Sequence, residues 1–146
     1  MTKSGTERMV ELRLRESDIR FTRGRKAVVS ALAAAPGPMS AAELNAALGP
    51  AVPLSSLYRT LAILEESGVV AHHLGAKGLT RYELAEWLTG HHHHLVCLDC
   101  GSVADVAIPR SQEESVRGLV SEIAAGASFT PIDHALEIEG RCARCA

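Results

Sequence analysis

The chain has 146 residues, of which 47% are hydrophobic and 3% aromatic, and its formal net charge is −2. It is long enough for one domain or two small ones, and its composition excludes a disordered or membrane-spanning protein. Because no apolar run approaches the roughly 18 residues of a transmembrane helix, and the mixed-charge N-terminus lacks the apolar core of a signal peptide, we expect a cytoplasmic protein.

The charge is distributed unevenly along the chain. Residues 1–84 carry eleven lysines and arginines against eight acidic residues, whereas residues 85–146 carry four against nine. This asymmetry predicts two parts with different partners.

The first part is predicted to be mainly helical. We expect an amphipathic helix over residues 6–17 and a second that starts after an N-cap at Thr22 and continues to about Ala34. Ser40 and Glu43 have the spacing of a capping box at the start of a third helix. A fourth helix, capped by Ser55 or Ser56, should end before Gly68.

A β-hairpin is predicted to follow these helices. Residues 69–74 and 80–84 are β-prone runs joined by a glycine-containing turn. Helices followed by a hairpin outline a winged helix-turn-helix, although a purely structural helical bundle with a hairpin fits the periodicity equally well.

The second part is predicted to mix strands with one long helix, after a boundary at residues 85–90. Strands are expected at 92–97, 103–106 and 132–140. The helix should begin at a second capping box, formed by Ser111 and Glu114, and end at Gly126.

The four cysteines of the chain form two C-x-x-C pairs. Four thiolates complete a closed tetrahedral site, which favours structural Zn²⁺ bound by Cys97, Cys100, Cys142 and Cys145. In a reducing compartment such pairs bind metal more often than they form disulfides. A thioredoxin-like dithiol would need a C-x-x-C at a helix start in a βαβ unit, which the sequence does not predict.

Four consecutive histidines, residues 91–94, precede the first cysteine pair. Successive side chains of a strand point to opposite faces, so His91 and His93 should share one face and His92 and His94 the other. The run therefore predicts two metal sites, each of which needs further ligands. The candidates for these ligands are Glu83, His72, His73, Asp105, Glu113, Glu114 and His134, each of which also has an ordinary structural explanation.

Two segments have the chemistry of a DNA-binding surface. Residues 20–26 hold four basic side chains and no acid, which suits phosphate contacts from Arg20, Arg23 and Arg25. The start of the fourth helix is polar, as expected of a recognition helix. Its candidate contact residues are Ser55, Ser56, Tyr58 and Arg59. An ordinary polar helix face would look the same.

Together these residues resemble the ferric uptake regulator family of metal-dependent transcriptional repressors. The resemblance runs from about residue 17 to the end of the chain. The resemblance rests on six motifs. They are T-R-G-R at 22–25, S-S-L-Y-R-T-L at 55–61, Y-E-L at 82–84, H-H-H-H-L-V-C-L-D-C-G at 91–101, D-H-x-L-E-I-x-G at 133–140 and the last C-x-x-C. It implies an α+β homodimer with a winged-helix DNA-binding domain at 1–84, a hinge at 85–90 and a small α/β metal-binding dimerisation domain at 91–146.

The resemblance also implies a role for individual residues. The four cysteines match a structural zinc site, and Tyr58 and Arg59 match a base-contacting pair, with Arg20 in the minor groove. The regulatory site at the hinge would comprise Glu83, His92 and His94. The position of the wing histidines in their strand, and not the resemblance, adds His73 or alternatively His72 to this site. A further site in the dimerisation domain would comprise His91, His93, His134 and a helix carboxylate, Glu113 or alternatively Glu114.

Two departures from the family pattern concern the regulatory metal. Pro38 stands where iron and peroxide sensors usually have a histidine, and Ala71 and Ala85 stand where zinc sensors tend to have an aspartate and a cysteine. His73 shares a strand face with Ala71 and is placed to substitute for a missing ligand. Carboxylates and imidazoles suit Zn²⁺, Fe²⁺, Mn²⁺ or Ni²⁺. The H-H-H-H-L-V-C form and the additional histidine slightly favour zinc.

The sequence therefore predicts a metal-dependent repressor of metal-homeostasis genes, with Zn²⁺ or Fe²⁺ as corepressor and a double-stranded DNA operator as partner. No enzymatic activity, membrane or small-molecule substrate is expected. The alternatives are a peroxide sensor of the same family, a zinc-dependent dimerisation adaptor and a zinc hydrolase. A hydrolase would need an open coordination position and a general base such as Glu83, and the sequence indicates no substrate cleft.

Overall fold

The computed structural model describes residues 3–146 as two three-stranded sheets, each accompanied by helices. The helices are α1 (Lys3–Arg15), α2 (Arg23–Ala34), α3 (Ala41–Leu48), α4 (Leu54–Glu66), α5 (Glu86–Thr89) and α6 (Arg110–Gly126). The strands are β1 (Met39–Ser40), β2 (Val70–Leu74), β3 (Thr80–Leu84), β4 (His93–Cys97), β5 (Val103–Val106) and β6 (Glu137–Gly140). This arrangement confirms the predicted α+β class.

Local chemistry sets the starts of α2 and α3 and the end of α4. The Thr22 hydroxyl accepts a hydrogen bond from the Arg25 amide at 3.3 Å, which caps α2. Ser40 and Glu43 form both bonds of the predicted capping box at the start of α3. Gly68, with φ of +70°, follows the end of α4 and turns the chain into β2. Helix α1 begins and ends earlier than predicted, at Lys3 and Arg15.

The predicted caps of α4 and α6 are wrong. Helix α4 begins at Leu54 after Pro53, and α6 begins at Arg110 after Pro109; within the described chain neither start has a side-chain cap. Each proline occupies the N-cap position itself, with ψ of 148°, and it has no side-chain oxygen that could cap the first turn. Ser55, Ser56 and Ser111 consequently lie inside the first turns.

An aliphatic core joins α1, α2, α3, α4 and the β2–β3 hairpin. Its buried members are Val10, Leu14, Val28, Val29, Leu32, Ala41, Leu44, Val52, Leu57, Leu61, Leu64, Val69, Val70, Leu84 and Leu88. Each fully buried leucine or valine contributes about 1.5–3 kcal/mol relative to an exposed one. Leu88 lies in α5, so the segment after the hairpin packs on the N-terminal half of the chain. Trp87 beside it donates from Nε1 to the Gly68 carbonyl at 2.7 Å.

The hairpin and the second sheet position the metal-binding candidates. Strand β3 lies between β1 and β2, with antiparallel pairing on both sides. In the second sheet β4 is central, antiparallel to β5 and parallel to β6. The predicted strand at 132–140 is wrong in its first part, because β6 begins only at Glu137, opposite His94. Residues before Glu137 extend past the start of β4, so His134 lies in a loop.

Several large apolar side chains of the second half are exposed. They are Leu95, Leu98, Leu119, Ile123, Phe129, Ile132 and Ile138. Leu119 and Ile123 belong to the apolar stripe of α6, and this stripe is not covered by the N-terminal half. Across residues 3–146, no helix combines the length and the hydropathy needed to cross a membrane.

Candidate metal centres and DNA-contact surface

The four cysteines converge at the end of the second sheet and are called the cysteine cluster. Cys97 ends β4, and its carbonyl accepts a hydrogen bond from the Gly101 amide at 2.9 Å, which closes the turn that carries Cys100. The second pair follows β6, which lies parallel to β4. The four sulfur atoms lie within 4.8 Å of one another, and Cys100 Sγ is 3.8 Å from Cys142 Sγ. Sulfurs at about 2.3 Å from a tetrahedral ion are about 3.8 Å apart, so this donor set fits Zn²⁺.

The thiols of the cysteine cluster influence one another's ionisation. Hydrogen bonds from the backbone amides of Cys100 and Cys142 lower the pKa of Cys97 to about 6. Interaction with the neighbouring sulfur of Cys142 raises the pKa of Cys145 to about 12. Four thiolates therefore cannot share this space without a cation between them, because their charges repel.

A second group, the hinge cluster, combines both halves of the chain. Its members are Glu83, His92, His94 and Asp105, whose ligand atoms lie within 4.8 Å of one another. Glu83 comes from β3 of the N-terminal half. Its Oε2 atom is 3.0 Å from His92 Nε2 and 3.1 Å from His94 Nε2. Asp105 Oδ1 lies 3.5 Å and 3.4 Å from the same two nitrogens.

The hinge cluster is electrostatically suited to a cation. Burial opposes ionisation of Glu83, but hydrogen bonds from three imidazoles hold the pKa of its carboxyl well below the usual range. Burial raises the pKa of Asp105. Burial opposes protonation of His92, yet the Gly90 carbonyl and Glu83 raise the pKa of its imidazole. A divalent ion would replace these shared protons, since it binds neutral imidazoles and ionised carboxylates.

His73 and His72 diverge, as neighbours on a strand do. His73 Nε2 is 2.5 Å from Glu83 Oε1, and its ring centroid lies 4.9 Å from that of His94. This contact raises the pKa of His73. His72 points to the other face and contacts Glu65. Of the two, His73 is therefore the residue beside the hinge cluster.

Asp105 is the member of the hinge cluster to which the sequence analysis assigns no site. It lies in β5 directly opposite His94 in β4. The two strands flank the first cysteine turn, so counting outwards from that turn along a hairpin would have placed Asp105 beside the histidines. The position of Asp105 could therefore be predicted from the sequence, provided that the cysteine turn is treated as the end of a β-hairpin.

A third group, the helix cluster, lies on the opposite face of β4. It comprises His91, His93, Glu113 and His134. Glu113 Oε2 is 2.7 Å from His93 Nε2, and Glu113 Oε1 is 3.3 Å from His91 Nε2. Glu114, one residue further along α6, instead pairs with Arg110 at 3.1 Å. The structure therefore brings Glu113, and not Glu114, to the histidines.

The polar atoms of the helix cluster fit the donor set of a bound cation. Glu113 Oε1 and His134 Nε2 are 2.8 Å apart, yet neither buried atom has a hydrogen-bond partner of acceptable geometry among the described residues. Buried polar atoms are nearly always hydrogen-bonded. Both atoms would be satisfied as ligands of one shared ion.

The candidate DNA contacts lie on the exposed surface of the N-terminal half. Arg20 and Arg23 flank the start of α2, and the Arg25 guanidinium donates to the Arg20 carbonyl at 2.5 Å. On α4, Ser55, Ser56, Tyr58 and Arg59 are exposed while Leu57 and Leu61 face the core. The first turns of α4 therefore present polar side chains to solvent, as direct reading of a DNA groove requires.

Comparison with known proteins identifies relatives over most of the chain. The sequence pattern of the "Ferric uptake regulator family" matches residues 16–139. The ferric uptake regulation protein of Bacillus subtilis is 35% identical over 97 residues, which cover 66% of this chain and 62% of that protein. The ferric uptake regulation protein of Brucella abortus is 30% identical over 141 residues, 94% of this chain and 95% of the relative.

A solved structure has the same fold. It is the ferric uptake regulator Fur of Helicobacter pylori, described as revealing three functional metal binding sites. Superposition gives a TM-score of 0.78 at 23% identity and covers 99% of this chain and 94% of that chain.

Proposed function

Because the chain belongs to the ferric uptake regulator family, whose members are transcription regulators and not enzymes, we propose that it is a dimeric repressor that binds operator DNA when a divalent metal occupies the hinge cluster. The observation that carries this proposal is the position of Glu83. This carboxylate belongs to the winged-helix half, and it meets two histidines and an aspartate of the other half.

The donor atoms support different ions at different clusters. Four thiolates suit structural Zn²⁺. The hinge cluster supplies two imidazoles and two carboxylates, with His73 beside them, and this set without thiolate suits Zn²⁺ or Fe²⁺ and is compatible with Mn²⁺ or Ni²⁺. His91, His93, Glu113 and His134 have the same chemistry and would hold a further ion of this class.

Metal at the hinge cluster would act by selecting one arrangement of the two halves. An ion bound to Glu83 alone gains little, whereas an ion bound to all four ligands requires the halves to lie together. A ligand shifts a conformational equilibrium only through such differential affinity. The chain's own contribution is to bring the four donor atoms within 4.8 Å of one another and to hold Glu83 ionised through its imidazole contacts.

Exposed apolar residues of the second half support the homodimer. Leu119, Ile123 and Phe129 lie on or after α6, and Ile138 lies in β6. A patch formed by such residues would mark an interaction surface. A symmetric dimer through this surface would present two copies of α4 to successive turns of the DNA groove. We place this activity in the cytoplasm, where thiols stay reduced and free to bind zinc.

Two histidine substitutions, one inside and one outside the hinge cluster, test this proposal. His92→Ala should abolish metal-dependent binding in gel shifts, using a DNA fragment selected from a random pool by the metal-loaded wild type. The variant should stay dimeric and retain its cysteine-bound zinc. His72→Ala, which removes a histidine outside the hinge cluster, should bind DNA as the wild type does. Normal metal-dependent binding by His92→Ala would contradict the proposal.

A further inference from the structure

Two backbone stretches from different halves of the chain pack directly against each other beside the hinge cluster. Residues 36–38 form the turn between α2 and β1, and Val103 and Asp105 lie in β5. The Asp105 amide points away from the ladder with β4 and donates to the Pro36 carbonyl at 3.0 Å. A Cβ added to Gly37 would lie 2.3 Å from the Val103 carbonyl oxygen and 2.9 Å from Ala104 Cα. Only glycine allows this approach, because the obstructing atoms are backbone.

A buried arginine bridges the same two parts of the molecule. Arg81 in β3 is 5% exposed. One terminal nitrogen, Nη1, donates to the Pro38 carbonyl at 3.2 Å and to Glu43 Oε2 at 2.8 Å, both in the N-terminal half. The other, Nη2, donates to the Gly101 carbonyl at 2.7 Å, in the turn that carries Cys100. The planar guanidinium donates to acceptors in both halves of the chain at once, a geometry that the compact ammonium group of a lysine does not reproduce.

We propose that Arg81 and Gly37 form a direct latch between the two halves, which docks β5 and the first cysteine turn on the winged helix and thereby assembles the hinge cluster before metal binds. Both are positioning residues, because neither would touch the ion. The effect on metal binding rests on the proposed function of the hinge cluster, whereas the latch itself depends only on contacts between protein groups.

The latch acts on both carboxylates of the hinge cluster. Arg81 and Glu83 are two residues apart on β3, so the strand that the guanidinium holds is the strand that presents Glu83. Asp105 is held through its backbone while its side chain faces His92 and His94. Bringing two carboxylates together without a cation is unfavourable, and the latch bonds offset part of this repulsion. Molecules whose two halves are not docked lack an assembled hinge cluster, and this lowers the apparent affinity for metal. The latch increases the docked fraction and therefore raises that affinity.

Hydrogen exchange at the Asp105 amide tests whether the latch exists without hinge metal. The measurement uses NMR on full-length protein that retains cysteine-bound zinc and has been treated with a mild chelator. In the wild type we expect this amide to exchange at least about tenfold more slowly than a free amide, because exchange requires the latch to open. Gly37→Ala should remove that protection. The Cys97 amide, bonded to the Ser102 carbonyl within the second sheet, should stay protected in both proteins.

Gly118→Ala is the matched control, since among the described residues a Cβ at Gly118 would meet no atom within 4 Å beyond its chain neighbours and the adjacent backbone of α6. It should leave Asp105 exchange unchanged. Free exchange of the Asp105 amide in the wild type, or full protection in Gly37→Ala, would overturn the latch.

Metal titration tests the positioning role separately. Arg81→Lys keeps the positive charge but loses the forked donors of the guanidinium. This variant and Gly37→Ala should both bind metal at the hinge cluster about tenfold more weakly than the wild type. The number of ions bound at saturation should not change. Unchanged affinity in both variants would overturn the positioning role. If the wild type itself bound no metal at the hinge cluster, the proposed function would fail and the positioning role with it. The exchange of Asp105 would still decide whether the latch exists.

Discussion

At the scale of individual residues, Glu83 is the carboxylate through which the N-terminal half enters the hinge cluster. Three imidazoles contact it, from His73, His92 and His94, and these contacts keep it ionised despite burial. The alternation of side chains along a strand was sufficient to separate His92 and His94 from His91 and His93. It could not by itself assign Asp105, which requires β5 to be paired with β4 across the cysteine turn, or Glu113, which requires α6 to be placed against β4.

The choice between Glu113 and Glu114 gives a prediction for the helix cluster. Glu113→Gln should lower the number of bound ions by one per protomer, because the side chain that touches His91, His93 and His134 loses its charge. Glu114→Gln removes the same charge from the next residue and should leave the count unchanged. Elemental analysis after equilibration at a fixed free-metal concentration measures both. If Glu114→Gln lost one ion per protomer while Glu113→Gln kept the wild-type number, Glu114 would be the ligand.

At the scale of elements, local chemistry predicts the boundaries that depend on neighbouring residues. Thr22, the Ser40–Glu43 box and Gly68 act where the sequence indicates. The starts of α4 and α6 were misplaced because serine and proline are both common there, and sequence does not show which of them begins the helix. The start of β6 could not be predicted locally, because it is set by the start of its partner β4.

Capping gives a prediction about stability. Thr22→Ala should lower the free energy of unfolding by about 1 kcal/mol, because the hydroxyl satisfies an amide in the first turn of α2. Ser55→Ala should change it by no more than a few tenths, since Ser55 is exposed and caps no helix. Denaturant unfolding followed by the fluorescence of Trp87, the only tryptophan, reports on this half of the chain. Equal losses in the two variants would show that Ser55 does stabilise α4.

At the scale of the whole molecule, the three clusters and the latch all involve strand β4 or its neighbour β5. Strand β4 carries ligands of all three clusters, and β5 carries both Asp105 and the backbone that packs on Gly37. The division of the chain into domains at residues 84 and 91 stays a prediction, and Leu88 places the intervening helix in the core of the first half. Sequence could not reveal the latch, because Arg81 and Gly37 have ordinary neighbours in the chain and acquire their role only through tertiary contacts.

The cysteine cluster gives a prediction at this scale. Cys142→Ser should lose the structural zinc and with it the order of the second half and the dimer, because a closed thiolate site contributes folding free energy directly. Ser102→Ala, which removes a hydroxyl 3.1 Å from Cys100 Sγ but no ligand, should keep both. Size-exclusion chromatography with zinc analysis measures the two effects. A zinc-free, folded and dimeric Cys142→Ser protein would contradict this role.

Metal at the hinge cluster and DNA at the winged helices should bind cooperatively, and one titration measures this coupling. Anisotropy of a labelled, selected DNA fragment is measured against free Zn²⁺ or Fe²⁺, with cysteine-bound zinc retained throughout. DNA affinity should rise by at least about tenfold as one ion per protomer fills the hinge cluster, and a chelator should reverse the rise. The same DNA affinity with the hinge cluster empty and filled would show that hinge metal does not control DNA binding.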